Sequence, residues 1–277
     1  MVPSLAFLIQ HKDVKTNKTT RFLFDLGLRR DLKRYPLPIQ KHIENRRPYK
    51  DRPDITENLA RGGLGPNDID FVIYSHVHWD HVGEPCDFPT STFVVGYGAL
   101  ALSAGTSSKF RGGHSFFEPD LLPEGRNIEL SDPSNDTSDK HRSATATGSL
   151  NFDVPWGPHD ALTQTLDIFN DGSLLIVNAP GHLPGHINLL ARTSEDHYIY
   201  LGGDACHDRR LLTGEKEIGE WTDAEGHVCC IHVDREQAEE TIRRIRVLEK
   251  EGVEVIFAHD VEWENDPANK GRFFGAL

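Results

Sequence analysis

The sequence lacks an excess of basic residues. Of its 277 residues, 30 are Lys or Arg and 43 are Asp or Glu, which gives a formal net charge of -13. A field of this sign repels the phosphate backbone of nucleic acids. The basic residues of 29–34 and 46–52 form the one notable cluster, and acidic residues are interspersed there, so we interpret it as a solvated surface. A nucleic-acid partner is therefore not expected.

Long apolar runs and a disulfide framework are also missing. No stretch approaches the run of about 18 apolar residues that spans a bilayer, so no membrane partner is expected. The opening residues MVPSLAFLIQHKD have neither a positive leading region nor a small-residue cleavage site. The four cysteines, Cys86, Cys206, Cys229 and Cys230, follow no regular spacing. We therefore expect reduced thiols and a cytoplasmic location.

The composition otherwise permits a large packed core. Hydrophobic residues make up 37% of the chain and charged residues 26%, which are ordinary values for a globular protein. The length suits one large α/β domain, and no internal repeat of about 20 to 50 residues is found. We therefore expect a single domain over residues 1–277.

Several apolar runs in the first part of the chain predict strands. SLAFLIQ and RFLFDLG, separated by a polar turn, predict a β-hairpin. DIDFVIYSH predicts a strand over 69–75 that ends at His76, and STFVVGYG predicts the next strand. Residues 29–53 show no clean period and are expected to form a loop with one short helix. Asp54 is expected to cap a helix that runs to about Arg61.

The last part of the chain predicts strands with polar ends and one long helix. The turn NDG at 170–172 predicts a hairpin, and YIYLGGD predicts a strand that ends at Asp204. Asp234 is expected to cap a helix over 235–250, and VEVIFAHD predicts a last strand that ends at His259. The apolar stripe of the helix comprises Ala238, Ile242, Ile245 and Leu248.

Residues 103–162 lose this regularity and are expected to form a long insertion. The stretch at 131–149 is polar and of low complexity, so it buries too little apolar area to order itself. Aromatic residues flank it, namely Phe116, Phe117, Phe152 and Trp156. Two interpretations stay open: a surface insertion, or aromatic side chains that cover a pocket and set the choice of substrate.

The stretch HVHWDH places four metal-binding side chains within six positions, directly after a predicted buried strand. His76 and His78 differ by two positions, so they project to one side of an extended backbone. Asp80 and His81 lie beyond them, where the chain turns, and are expected to face a second centre.

Further donors also follow predicted strands. His182, Asp204 and His259 each come after an apolar run or its immediate turn, so they can meet at one edge of a sheet. Seven candidate donors are too many for one zinc ion, which takes about four ligands, and they suit two divalent ions. Zinc fits this mixture of His and Asp best, and iron, manganese and cobalt are compatible with it.

These motifs resemble the metallo-β-lactamase superfamily. The motifs are SHVHWDH at 75–81, APGHLPGH at 179–186, GGDA at 202–205 and FAHD at 257–260, with LFDLG at 23–27. The resemblance covers nearly the whole chain except 103–162. It implies an α/β fold of the αββα sandwich type, with a long insertion near 103–162 and the site at one edge.

The resemblance also implies a role for each donor. The first ion would take His76, His78 and His182, the second would take Asp80, His81 and His259, and Asp204 would bridge them. In GHLPGH the family's ligand is the first histidine, so His186 is expected to support the site or to pack in the core. Histidine at position 78, where oxygen-reducing diiron relatives carry Glu, favours hydrolysis.

Within the superfamily the chain is most similar to the N-acyl-homoserine lactonase-like branch. Lactonases of this type place a tyrosine three residues after the bridging aspartate, where this chain has His207. That histidine could donate a hydrogen bond or a proton to a leaving group, and an exposed loop residue is the equal alternative. Asp260, beside the ligand His259, is expected either to support that ligand or to lie in a turn.

We therefore expect a hydrolase in which a hydroxide held between two ions opens a small cyclic ester or amide, a lactone or a lactam. The expected partner is a small-molecule substrate, and the predicted catalytic residues are Asp80, which would orient the hydroxide, and His207. A thioesterase of the same fold is the alternative, although the basic patch typical of that class is not seen. The net charge of -13 argues against a nuclease, and the full donor set argues against a non-catalytic metal-binding protein.

Overall fold

The computed structural model describes residues 2–104, 116–134 and 148–275. They divide into two compact units. The first unit comprises the described residues of 1–95, 99–128 and 259–277, and the second comprises those of 96–98 and 129–258. Among the described helices, none is both long and apolar enough to cross a membrane. None of the four cysteines forms a disulfide.

A five-stranded sheet makes up most of the first unit. Its strands, in spatial order, are β1 (Phe7–Lys12), β2 (Thr19–Phe24), β3 (Phe71–Ile73), β4 (Thr92–Val95) and β5 (Asn127–Glu129). The pair β1 and β2 is the predicted hairpin, and β2, β3 and β4 are parallel neighbours. Consecutive residues such as Phe22, Leu23 and Phe24 are all buried, as expected for central strands covered on both faces.

The strand that leads to the histidine motif is shorter than the predicted range 69–75. The Tyr74 N–H still donates to the Val94 carbonyl of β4 at 2.9 Å. The next N–H, that of Ser75, donates instead to the Asp25 carboxylate at 2.7 Å. Because a side chain replaces the neighbouring strand as acceptor, β3 ends before the ligands begin.

The helices follow the capping signals of the sequence. Those in the described residues are α1 (Leu37–Glu44), α2 (Ile55–Arg61), α3 (Ala99–Ser103), α4 (Arg209–Thr213), α5 (Arg235–Lys250) and α6 (Val261–Asn265). Short 3-10 turns lie at Leu32–Arg34, Pro66–Asp68, Pro85–Asp87 and Pro267–Arg272. The loop of 29–53 contains one short helix, α1, as predicted. Asp54 caps α2, since its carboxylate accepts the Glu57 N–H at 2.8 Å while the Glu57 carboxylate accepts the Asp54 N–H at 3.0 Å.

A six-stranded sheet forms the second unit. Its strands are β6 (Gly157–His159), β7 (Leu162–Asp167), β8 (Leu174–Asn178), β9 (Ile187–Ser194), β10 (His197–Leu201) and β13 (Glu254–Ile256). Their spatial order is β13-β10-β9-β8-β7-β6, antiparallel except for the parallel pair of β10 and β13. The predicted turn at 170–172 joins β7 to β8. A separate hairpin consists of β11 (Glu220–Thr222) and β12 (Val228–Cys230).

Helix α5 supplies much of the core of the second unit. Its predicted stripe, Ala238, Ile242, Ile245 and Leu248, is buried. This stripe packs with Tyr200, Val255 and Phe257 in one hydrophobic cluster. Asp234 caps the helix as predicted, but the Gln237 side chain donates to the Asp234 carboxylate at 2.6 Å, so the capping box is incomplete.

Parts of the predicted insertion at 103–162 belong to the two sheets. Strand β5 is the last strand of the first sheet, and β6 is an end strand of the second. The sequence analysis missed both because a strand of three residues leaves no readable period. Residues 105–115 and 135–147 lie outside the described residues, so the prediction of a surface insertion there stays a prediction.

Candidate metal centre

The seven predicted ligands fall into two groups, one in each unit. The first cluster comprises His76, His78, Asp80, His81 and His259, and it lies in the first unit. The second cluster comprises the predicted ligands His182 and Asp204 with His207 and His232, and it lies in the second unit. Four of the predicted ligands, His76, His182, Asp204 and His259, come shortly after the strands β3, β8, β10 and β13.

The first cluster brings donor atoms to within metal-binding reach of one another. His76 Nε2 lies 2.8 Å from His78 Nδ1. Asp80, His81 and His259 offer donors that all lie within 4.8 Å of one another. The Asp80 carboxylate stands between the other two, 3.6 Å from His259 Nε2 and 4.0 Å from His81 Nε2. These are the pair and the triad that the sequence analysis assigned to different ions.

The buried carboxylate of Asp25 organises two rings of the first cluster. It accepts hydrogen bonds from the Ser75 N–H at 2.7 Å and from the Ser75 hydroxyl at 2.7 Å, and it lies 2.8 Å from His81 Nδ1. Since a carboxylate only accepts, His81 carries its proton on Nδ1 and turns the Nε2 lone pair toward Asp80. The Ser75 hydroxyl, having donated to Asp25, accepts from His76 Nδ1 at 2.9 Å.

His259 is oriented in the same way by a backbone carbonyl. Its Nδ1 lies 2.6 Å from the Pro3 carbonyl oxygen, so that nitrogen donates and Nε2 faces Asp80. The sequence motif predicted the ligands but gave no role to Asp25, Ser75 or Pro3. A signal for Asp25 existed, because a charged residue directly after the buried strand β2 needs buried partners.

In the second cluster, two imidazoles meet one carboxylate. His182 Nε2 lies 3.4 Å and His207 Nε2 3.1 Å from the same oxygen, Asp204 Oδ2. His232 completes a triangle of rings, with centroids 5.2 Å from His182 and 5.3 Å from His207. His182, His207 and His232 also offer nitrogen donors within 4.8 Å of one another. The sequence analysis missed His232, which follows no strand that it had predicted.

The second histidine of the GHLPGH motif has a structural role. His186 Nδ1 lies 3.0 Å from the Ala179 carbonyl, and its Nε2 accepts the Asp204 backbone N–H at 3.1 Å. Both ring nitrogens are therefore engaged by the backbone, and the ring holds the peptide of a predicted ligand. This placement agrees with the expectation that His186 supports the site. Asp260 accepts the Trp263 N–H at 3.0 Å and caps α6, and its support of His259 stays a prediction.

The loop that carries His182 is fixed by close packing against α5. Gly181 has a φ of 122°, a conformation that residues with a side chain rarely adopt. A Cβ atom at that position would collide with the backbone of Ala238 in α5. The His182 carbonyl in turn accepts the Val233 N–H at 3.1 Å, which ties this loop to the segment containing His232.

Aromatic residues from the predicted insertion lie against the first cluster. The Phe117 ring is stacked on His78, with centroids 6.0 Å apart and planes 13° apart. Phe116 and Phe117 line a small, mostly apolar cleft together with Ile39, Trp79 and Leu121. Of the four aromatic residues singled out in the sequence, Phe117 thus contacts the predicted ligand His78, and Phe116 lines the cleft beside Trp79.

Comparison with known proteins gives one family. A model of the metallo-beta-lactamase superfamily matches residues 2–257. The cytochrome P450 monooxygenase mpaDE of Penicillium roqueforti (strain FM164) is 33% identical over 72% of this chain and 22% of its own length. The γ-lactamase FDB1 of Fusarium pseudograminearum (strain CS3096) is 30% identical over 74% of this chain and 45% of its own length. The chain therefore spans about a quarter to a half of the length of these curated relatives.

A solved structure shares the fold. The crystal structure of an AiiA variant from B. thuringiensis, with N-decanoyl-L-homoserine bound at its active site, aligns with a TM-score of 0.59. The alignment covers 95% of this chain and 83% of that one at 18% identity. The predicted resemblance and the predicted fold class are both confirmed.

Proposed function

This chain belongs to the metallo-β-lactamase superfamily and its domain is a metal-dependent hydrolase, and from that premise we propose that it opens a small cyclic ester or amide. Lactones and lactams share an acyl carbon that must be attacked and a leaving atom that stays tethered to the product. The name of FDB1 points to lactam substrates, and the ligand of the AiiA structure points to lactones. The proposed substrate class includes both.

The orientation of the histidine rings in the first cluster carries this proposal. His76, His81 and His259 each engage one ring nitrogen with a serine hydroxyl, a carboxylate or a carbonyl. Histidine ligands of metals are fixed in this way, since the engaged nitrogen sets the tautomer and aims the other lone pair. Nitrogen and carboxylate donors together suit zinc. The residues therefore fit a divalent metal.

We propose that two divalent ions, zinc in the first place, are held by all seven predicted ligands. The set is His76, His78, Asp80, His81, His182, Asp204 and His259. When bound, such a pair of ions lowers the pKa of water and polarises a carbonyl group. Two ions are favoured over one because seven nitrogen and oxygen donors exceed the requirement of a single zinc ion, which is about four.

Two residues are proposed to act in the reaction besides binding. The Asp80 carboxylate, 3.6 Å from His259 Nε2, can accept a hydrogen bond from the attacking water and so aim it at the acyl carbon. The Nε2 atom of His207 lies 3.1 Å from Asp204 Oδ2. We propose that His207 donates a hydrogen bond or a proton to the leaving atom. Its imidazole stands where the lactonase-like branch has a tyrosine.

The aromatic surface beside His78 is proposed to contact the apolar part of the substrate. Phe117, stacked on the His78 ring, and Trp79, next to His78 in the chain, offer flat aromatic surfaces. This proposal follows the interpretation in which the flanking aromatic residues set substrate choice.

The proposal is tested with a substrate panel and a metal count. Purified protein is incubated with lactones, lactams, thioesters and phosphodiesters, with and without a chelator, while metal per chain is measured by mass spectrometry. We expect about two ions per chain and chelator-sensitive opening of a lactone or a lactam. Thioester turnover alone would select the thioesterase alternative. Turnover that a chelator leaves unchanged would reject the proposed chemistry.

A further inference from the structure

The backbone that carries the ligands is held at five consecutive carbonyl groups. The donors are the His81 N–H to His78, the Tyr35 hydroxyl to Trp79, the Ser4 hydroxyl to Asp80, the Leu26 N–H to His81 and the Tyr74 hydroxyl to Val82. Their lengths run from 2.5 to 3.1 Å. Each of these carbonyl groups in the loop is thus fixed by a donor, and the loop also forms one β-bridge, between Val82 and Gly27.

Tyr35 occupies a special position among these donors. Its hydroxyl donates to the Trp79 carbonyl at 2.8 Å and accepts the Arg29 N–H at 2.8 Å. Its ring meets the Trp79 ring edge to face, with centroids 5.9 Å apart. The side chain is 2% exposed and packs with Ile39 and Ile43 of α1. Both its polar and its apolar contacts therefore converge on the residue between two predicted ligands.

The hydroxyl of Tyr35 is a dependable donor. Burial raises the pKa of Tyr35 well above its ordinary value, so the group stays protonated. The segment that carries it is also anchored, because the Tyr49 hydroxyl donates to the Arg29 carbonyl at 2.9 Å. The Arg29 guanidinium in turn pairs with Glu118 at 2.5 Å and with Glu84 at 3.8 Å.

We propose that Tyr35 is a positioning residue for the metal centre, with Ser4 as its counterpart on the next peptide. The Trp79 carbonyl belongs to the peptide that leads into Asp80, so the Tyr35 hydroxyl sets the direction in which the Asp80 carboxylate leaves the backbone. The Ser4 hydroxyl fixes the following peptide, between Asp80 and His81. This inference rests on the proposed function, since it takes Asp80 and His81 as ligands.

The test is the substitution Tyr35→Phe, which keeps the ring and removes only the hydroxyl. We expect the dissociation constant for Zn²⁺ at one of the two sites to rise about tenfold, because a lost supporting hydrogen bond typically weakens a metal site about 10- to 100-fold. Competition with a chromophoric chelator measures it without any substrate. The absorption spectrum of the Co²⁺-loaded protein should shift, and kcat should fall with KM unchanged.

A matched control separates positioning from stability. Tyr200→Phe removes the hydroxyl of another fully buried tyrosine, which contacts Asn188 at 2.9 Å in the second unit. It should lower the melting temperature and leave Zn²⁺ affinity and the Co²⁺ spectrum as in the parent protein. If Tyr35→Phe behaves like this control, Tyr35 is only structural and the inference is overturned.

The failure of this inference can be told apart from failure of the proposed function. The chelator competition reads metal binding alone, so it decides on Tyr35 even if no lactone or lactam is turned over. Should Tyr35→Phe not fold, Ser4→Ala tests the same idea on the neighbouring peptide. Unchanged Zn²⁺ affinity in Ser4→Ala would then reject the role given to these two hydroxyl groups.

Discussion

The first and second clusters hold their histidines by different means. In the first cluster, His76 is oriented by Ser75, its neighbour in the chain, and His81 is oriented by Asp25, which directly follows β2. In the second cluster, His182 and His207 converge on the Asp204 carboxylate itself. The support of Asp204 comes from its backbone N–H, which donates to His186.

This difference separates a site oriented by hydrogen bonds from a site oriented by loop packing. The rings of the first cluster have their tautomers set by buried acceptors on the same unit, so they are prepared for an ion. The second cluster depends on contacts between segments that are far apart in the sequence, such as Gly181 packed against Ala238 of α5. We therefore expect substitutions in the two clusters to differ in their effects on metal binding, turnover and stability.

The largest expected effect is that of Asp204→Ala in the second cluster. The change removes a carboxylate that both His182 and His207 contact. We expect turnover to fall more than about 100-fold, since loss of a mere supporting partner already costs about 10- to 100-fold. The metal count should fall below two per chain. Circular dichroism should show that the fold survives, and an unchanged rate would contradict the bridging role.

The next largest effect should come from Asp25→Asn in the first cluster. The substitution keeps the size of the side chain but offers an amide N–H₂ where Ser75 and His81 both donate. Hydrogen bonds to charged groups contribute about 1.5 to 3 kcal/mol each. We therefore expect the free energy of unfolding of the metal-free protein to fall by about 3 kcal/mol. Zn²⁺ affinity should fall about 10- to 100-fold.

The matched control for Asp25→Asn lies in the second unit. Asp167 accepts the Gly172 N–H at 2.9 Å in the turn between β7 and β8. Asp167→Asn should lower stability by about 1 kcal/mol and leave Zn²⁺ affinity unaltered. Equal losses of affinity in the two variants would mean that Asp25 acts through general stability, and the contrast between the clusters would not hold.

The same contrast explains which parts of the fold and of the candidate site could be predicted from the sequence. The motif HVHWDH, the caps at Asp54 and Asp234 and the stripe of α5 are local patterns, and each was predicted at its observed place. The supports of the rings in the first cluster were not, because Asp25 and Pro3 reach His81 and His259 only when distant segments meet. His232 was missed for the same reason, since no period or spacing links it to His182.

A smaller and sharper test concerns His207→Ala. If His207 acts on the leaving atom, turnover should fall about 100-fold, a typical contribution of proton transfer by a side chain, while the metal count stays near two. The variant His207→Gln, which keeps a hydrogen-bond donor beside Asp204, should recover part of the rate. A metal count that falls in step with turnover would make His207 a ligand. No change in either would make it a bystander.

The smallest expected effect compares the helix caps of the two units. Burial by itself would raise the pKa of the Asp54 carboxyl. Hydrogen bonds from Arg30, from the Glu57 N–H and from Thr56 outweigh burial and hold that pKa below the ordinary value of 3.8. A carboxyl whose pKa is lower in the folded state stabilises the protein above its unfolded pKa, and that stabilisation is lost as pH falls through the folded value. The free energy of unfolding in urea should therefore be about 1 to 2 kcal/mol lower for Asp54→Ala than for the parent protein at pH 7.

The gap between Asp54→Ala and the parent protein should narrow as the pH falls below about 4, where the carboxyl of Asp54 begins to protonate in the unfolded chain. Asp234→Ala is the comparison in the second unit. Asp234 caps α5 through the Gln237 N–H and side chain, and no arginine within the described residues donates a hydrogen bond to its carboxylate. Asp234→Ala should lower the free energy of unfolding by only about 1 kcal/mol at pH 7, the usual contribution of a cap. If the two variants lost equal stability at pH 7, the ion pair of Arg30 with Asp54 would contribute nothing beyond the cap.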